Sequence, residues 1–303
     1  VGAEITASRG AGRGIVAMVT VPLDCPEQKV TIVDEEISSE VREVTYRSLP
    51  GGEVKQLLIS VPHLAAGATA RAVVTAEVST RTILPPEETD DLKIPKKIPA
   101  KIRIYTNGSP YIEVKNQRIR ALSKEVFKGI DESATDWEKV EAIYDYVLEN
   151  IEYVEGPDKG AIDTLRDGQA DCQGRSALFI ALCRANKIPA RMVWVDGHAY
   201  PEFYLERGEA VVDGKKTKAI PGDWYPCESA GTRAFGEMPL ARTILQKGDN
   251  FRVPERKDRI RYASDFMVGL PTPGGGKPRV KYIRQQLIDG LEPKAENVGE
   301  SVE

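Results

Sequence analysis

Cys172 stands directly after Asp171 and just before an apolar run, in "DGQADCQGRSALFIALCRANKIPARMVWVDGHAY" (167–200). A cysteine at a helix start faces unsatisfied backbone N–H groups and the positive end of the helix dipole. Both favour the thiolate, the nucleophilic form of the side chain. The same stretch holds His198, one of only two histidines in the chain. A histidine within hydrogen-bond reach of the sulfur can take its proton and later protonate a leaving amine. A third group must then hold the imidazole in the useful tautomer. "WYPCES" offers Glu228 for this role, with Asp196, Asp213 and Asp223 as alternatives. The Cys172 backbone N–H is the natural oxyanion donor, and Trp194, Trp224 and Tyr200 are candidates to line a groove, although aromatic residues on strands are more often core. A cysteine in an apolar helix is, by itself, usually an inert small hydrophobe. That reading is kept for Cys183 and for Cys227, while His63 in "VPHLAAG" reads as a loop residue.

These groups need particular elements to meet. Asp171 is a good cap for "CQGRSALFIALCRAN", and that helix is apolar on most sides, as a central buried helix should be. "ARMVWV", "HAYPEFYLE", "EAVVD" and "DWYPCES" read as strands, with Asp196-Gly197 and Asp213-Gly214 at tight turns. Two amphipathic helices come earlier. One places Ile119, Leu122, Val126 and Ile130 on a face; the other places Val140, Ile143, Tyr144, Val147 and Ile151 on a face, with Thr135 or Asp136 as its cap. From about residue 14 to 115, segments rich in Val, Ile and Thr, among them "GIVAMVTVPL", "VKQLLISVP" and "KIRIYTN", alternate apolar with polar residues, the pattern of an antiparallel sandwich. Residues 84–101, rich in proline and charge, read as a long exposed connection. The expected organisation is a β-sandwich over 1–115, a core over 116–270 and a loose tail over 271–303.

Composition narrows the partners. Of 303 residues, 41% are hydrophobic and 29% charged, ordinary for a globular protein. The net charge of −4 spreads 42 basic residues among 46 acidic ones, which argues against nucleic acid. No apolar run is long enough to span a bilayer as a helix. Four cysteines and two histidines lack metal-site spacing, and no calcium loop is visible, so neither metal nor cofactor is expected. "GAGRG" and "GGGKP" lack the context of phosphate loops, and Asn-Gly in "NGS" (107–109) reads as a turn rather than a glycosylation acceptor. A first residue of Val1 is compatible with an upstream segment, from which a periplasmic or secreted location would follow. Oligomeric state is not legible.

Three blocks, "ADCQGRSALFIALCRANKIPARMV", "HAYPEFYL" and "WYPCES", occur in an order and at gaps that resemble the transglutaminase-like superfamily of cysteine enzymes, over about residues 117–230. The stretch "KVEAIYDYVLENIEYVEGPDKGAIDTL" also resembles the helix and loop that precede the cysteine in bacterial members. The resemblance implies an α+β fold: a papain-like or transglutaminase-like core, its cysteine helix packed on an antiparallel sheet, after a β-sandwich. It implies Cys172 as nucleophile, His198 as general base and Glu228 as the orienting acid, where the family usually has aspartate. Ala170 replaces a common glycine, and the short "VDG" connection implies an open groove. The activity implied is acyl transfer from peptide or protein amides through a thioester, with hydrolysis favoured. The alternative is a catalytically impaired binding or scaffolding module, for which the Glu228 substitution is the one hint.

Overall fold

A computed structural model describes residues 1–207, 211–212, 215–216, 220–239, 241–273 and 275–287. Six strands come first: β1 (Gly2–Thr6), β2 (Gly12–Val21), β3 (Gln28–Ile37), β4 (Glu43–Ser48), β5 (Gly52–Leu64) and β6 (Thr69–Thr80). Next are β7 (Leu92–Lys93), a 3-10 turn (Arg103–Thr106), α1 (Gln117–Lys128), α2 (Asp136–Asn150), β8 (Glu152–Tyr153), α3 (Ala161–Asp167), β9 (Gln169–Ala170) and α4 (Cys172–Ala185). Then come β10 (Ala190–Val195), β11 (His198–Arg207), β12 (Val211–Val212), β13 (Lys215–Lys216), β14 (Ile220–Glu228), β15 (Ala234–Phe235) and β16 (Ile244–Gly248). β17 (Phe266–Pro271) and β18 (Arg279–Ile283) are last.

The chain divides into two compact units. One comprises Val1–Leu49, Glu53–Ser79 and the described residues from Ala263 on; the other comprises Pro50–Gly52 and Thr80–Tyr262. The first is a sandwich of two four-stranded sheets, ordered β18-β1-β6-β3 and β4-β5-β2-β17. Period-two alternation builds it: Ala3 and Ile5, Ile15, Ala17 and Val19, Leu57, Ile59 and Val61, and Ala70, Ala72 and Val74 all enter one core.

The boundaries differ from the sequence-based expectation at both ends of this unit. Residues 279–283, expected in a loose tail, form β18 and pair with β1 from Gly2↔Ile283 to Thr6↔Arg279. β17, just before the expected tail, pairs with β2 and belongs to the sandwich as well. Their short patterns sit among prolines and glycines and gain strand character from partners far away in sequence. Conversely "KIRIYTN" is no strand. The Pro99 carbonyl accepts from both Ile102 and Arg103 N–H and winds the segment into the 3-10 turn, and the second unit begins at Thr80. His63, expected in a loop, lies on β5 opposite Arg13. The Asp213-Gly214 turn and residues 288–303 fall outside the described residues.

In the second unit an antiparallel sheet runs β15-β14-β11-β10-β16, with β7 added to β11. α4 is buried from Gly174 to Arg184. It shares one core with residues of α1 and α2 (Ile119, Leu122, Val140, Ile143, Val147) and of β10 and β11 (Met192, Trp194, Phe203). Thr135, not Asp136, caps α2, in a capping box with Glu138; Asp136 instead accepts the Ile94 N–H at 2.9 Å.

The C-terminal end of α4 is anchored by charge. Arg184, fully buried, donates to Asp249 at 2.6 Å, to the Ala190 and Asn107 carbonyls at 2.9 and 2.8 Å, and to Ser109 Oγ at 3.0 Å. Asp249 also accepts from Ser109 Oγ at 2.5 Å. Removing one partner strands a desolvated charge, so Asp249→Ala is expected to destabilise the protein by about 3–5 kcal/mol. Urea unfolding measures this, and a loss below ~1 kcal/mol would contradict the anchoring role.

Candidate active site

α4 begins at the candidate nucleophile. Asp171 caps it, accepting the Gly174 N–H at 2.9 Å, and Cys172 occupies the first helical position, partly exposed. Gly174 is required by space: a Cβ there would lie 2.6 Å from the Ala170 Cβ and 2.7 Å from Thr164 Oγ1. The bare backbone lets the first turn of α4 seat against α3 and β9. Ala170, where a glycine was the commoner residue, supplies one wall of that contact.

His198 arrives on the second strand of a hairpin. β10 and β11 pair up to Val195↔His198, and Asp196-Gly197 closes the turn with Gly197 at φ +65°. β14 pairs with the other side of β11, with Glu202↔Pro226 in register. Continued by two residues, this register sets Glu228 opposite Tyr200, diagonal to His198 and on the same face. His198 Nε2 lies 3.1 and 3.0 Å from the two Glu228 carboxylate oxygens. Cys172 stands close enough to the ring for its side chain to raise the imidazole's pKa. With Nε2 engaged by Glu228, Nδ1 is the nitrogen left for sulfur.

The carboxylate is itself held. Ala230 N–H donates to Glu228 Oε1 at 2.8 Å. The buried Tyr144 hydroxyl donates to the Glu228 carbonyl at 2.6 Å and accepts the Ala234 N–H at 3.1 Å. Next along the chain, Ser229 Oγ is 2.8 Å from Ser176 Oγ, which donates to the Cys172 carbonyl at 2.6 Å. Two serines thus tie the end of β14 to the first turn of α4 and set the spacing of the three groups. The longer glutamate meets the imidazole with both oxygens, so the departure from aspartate is accommodated. Asp223 is exposed and accepts its neighbour Trp224's N–H at 2.8 Å. Asp196 lies in the hairpin turn, so neither of these alternatives stands where Glu228 does.

Burial by itself would lower the His198 pKa. Hydrogen bonds from Cys172 and Glu228, and the charges of both, outweigh it and raise the imidazole to about 9. Both partners thus hold His198 toward its protonated form. Burial pushes the Cys183 and Cys227 thiols well up, in keeping with both as packing residues.

A cavity of about 310 Å³ opens over the pair, lined by Cys172, Gln173, Trp194, His198, Asp158 and Arg261 among others. Of the aromatic residues expected in a groove, only Trp194 lines it. Tyr200 is buried, and Trp224 packs under the Arg191 guanidinium, 4.1 Å from ring centroid to carbon. The sequence reading missed Tyr144's second role, because an apolar stripe conceals a hydroxyl. It missed Arg261 altogether: "KDRIRYAS" carries no pattern that separates a buried arginine from its exposed neighbours. Among the described residues, no group of histidine, cysteine and carboxylate side chains could hold a metal.

Residues 120–228 match the family model described as the transglutaminase-like superfamily. No curated protein matches the chain. Among solved structures, a candidate cysteine protease from Cytophaga hutchinsonii is similar at TM-score 0.56 and 20% identity, over 92% of this chain and 88% of that one, which shows a shared fold. The periplasmic domain of TgpA from Pseudomonas aeruginosa, bound to ethylmercury, aligns over 71% of this chain and 90% of that one at TM-score 0.30 and 13% identity, too low to weigh. The matched segment, residues 120–228, contains Cys172, His198 and Glu228, so the part of the chain similar to the transglutaminase-like superfamily is the part that builds this site.

Proposed function

We propose that the second unit is a cysteine enzyme acting on amides of peptides or proteins, with water as acceptor. The observation that carries this is His198, held through Nε2 by Glu228 and sharing one cavity wall with Cys172. The Cys172 thiolate attacks the amide carbonyl carbon, and the carbonyl π electrons move to an oxyanion beside the Cys172 N–H at the helix start. Collapse breaks the C–N bond as the His198 imidazolium protonates the leaving amine, which leaves a thioester and a neutral imidazole. Water then attacks the thioester, His198 takes its proton, and the acid departs as the thiolate and imidazolium re-form. Glu228 holds the ring for both transfers. Hydrolysis rather than transamidation agrees with the name cysteine protease given to the Cytophaga chain.

Alkylation by iodoacetamide across pH 5–10 tests the pair. Cys172 is expected to react at pH 6 roughly 10–100 times faster than a free thiol of ordinary pKa, and His198→Ala to remove that excess. A Cys172 that reacts only as fast as glutathione, with or without His198, would end this reading.

A further inference from the structure

Arg261 is unusual among the cavity residues. Its side chain is only 8% exposed, and its guanidinium carbon lies 4.1 Å from the Tyr111 ring centroid and 5.6 Å from that of Trp194. Nη2 donates to Gln173 Oε1 at 2.5 Å and meets Asp158 Oδ2 at 2.7 Å. Nη1 is buried and has no hydrogen-bond partner. A desolvated guanidinium is costly unless its donors are matched, and its planar fork suits two oxygens of one carboxylate. Asp158 pairs with Nη2 through Oδ2, and its own side chain is 56% exposed. Its ion pair with Arg261 engages Nη2 and leaves Nη1 without a partner. A buried, pre-oriented cation thus lines the cavity of Cys172, half-matched by a solvent-borne carboxylate.

We infer that Arg261 is a substrate-binding residue, oriented by Gln173, Tyr111 and Trp194, and that the cavity takes peptides with a carboxylate close to the scissile amide. This rests on the reading of Cys172 as the nucleophile. The incoming carboxylate replaces Asp158 on the guanidinium and also engages Nη1, which Asp158 leaves without a partner. The stacked rings keep the fork planar and in place, so little side-chain freedom is lost on binding. The carboxylate is either an acidic side chain or the C-terminus of the peptide, which present the same chemistry.

Two alkylating reagents that differ only in this group provide the test. Iodoacetate carries a carboxylate where iodoacetamide carries a neutral amide, and both deliver the same carbon to sulfur with loss of iodide. The ratio of their rates at Cys172, read by mass spectrometry and normalised to glutathione, is expected to favour iodoacetate. Part of that preference comes from the His198 cation, so the variants isolate the share of Arg261. Arg261→Gln is expected to lower the ratio about tenfold, the scale of one charge-assisted pair, and Asp158→Asn to raise it about threefold by removing the competitor. Should Arg261→Gln lose its fold by circular dichroism, Asp158→Asn decides alone. A ratio unmoved by the folded variants overturns the inference and leaves the nucleophile standing. Slow reaction of Cys172 with both reagents brings down the nucleophile reading, and this inference with it. Paired peptides then separate the sources: Glu against Gln beside the cleaved bond, and a C-terminal acid against its amide. One substitution of the two is expected to cut kcat/KM about tenfold, an effect absent in Arg261→Gln; no effect from either also overturns the inference.

Discussion

Cys172→Ala is expected to lower kcat/KM on any peptide that the protein cleaves by at least ~10⁴-fold, to the level that binding and the oxyanion donor sustain alone. The argument is chemical. Without sulfur no thioester forms, and the remaining groups, His198 and Glu228, have no proton to take from a nucleophile. The fold should survive, because Cys172 is partly exposed at the first position of α4 and its helix cap is the side chain of Asp171. Two measurements check this: the progress of peptide cleavage, and the mass of the protein after brief exposure to an activated ester. The wild type should gain one acyl group on Cys172, and the alanine variant none. Cleavage that persists in the variant would place the chemistry elsewhere.

Glu228→Gln should cost roughly 10³ to 10⁴-fold in kcat, since an amide can stabilise the wrong imidazole tautomer and cannot balance the imidazolium. The pH profile separates this from a general loss of structure. In the wild type His198 is raised to about 9, so the thiolate–imidazolium state is lost as pH rises through that value, and the alkaline limb of activity should fall there. The carboxylate supplies a hydrogen bond and a charge that both raise His198, so its removal should move the alkaline limb to lower pH. The stability effect has a definite sign. A histidine raised from 6.5 to about 9 contributes stability that is complete below the unfolded value and disappears as pH passes through the folded one. The destabilisation caused by Glu228→Gln should therefore be larger at pH 6 than at pH 10. An alkaline limb that stays in place, or a destabilisation that grows toward pH 10, contradicts the role given to the carboxylate.

The stabilising contacts around this site are unevenly distributed in the sequence. Cys172, its cap Asp171, and the Asp196-Gly197 turn lie within one short stretch, and local rules of capping and turn geometry are enough to read them. The buried faces of α1, α2 and α4, and the alternating strands β2, β5 and β6, are likewise local, because period 3.6 and period 2 appear in the residues themselves. Strands β17 and β18 are different. Their backbone donors and acceptors are satisfied by β2 and β1, roughly 250 to 280 residues earlier, so nothing nearby marks them as strands.

The sequence by itself determined the α+β class, the strand-rich first part, the central helix with a cysteine at its start, and the three residues that resemblance put together. Only the tertiary structure decided that Glu228, rather than Asp196 or Asp223, meets His198. That choice depends on the register of β14 against β11 and on the hydrogen bonds of Ala230, Tyr144 and Ser229, which join residues up to 90 positions apart. Only the tertiary structure, too, brought Arg261 and Asp158 to the cavity wall. An arginine's role is set by what surrounds it, and the two rings, the amide and the carboxylate around this one come from four separate parts of the chain. Capping and periodicity act between neighbours and can be read along the chain; register, burial of charge and the matching of donors to acceptors act across it, and exist only once the chain is folded.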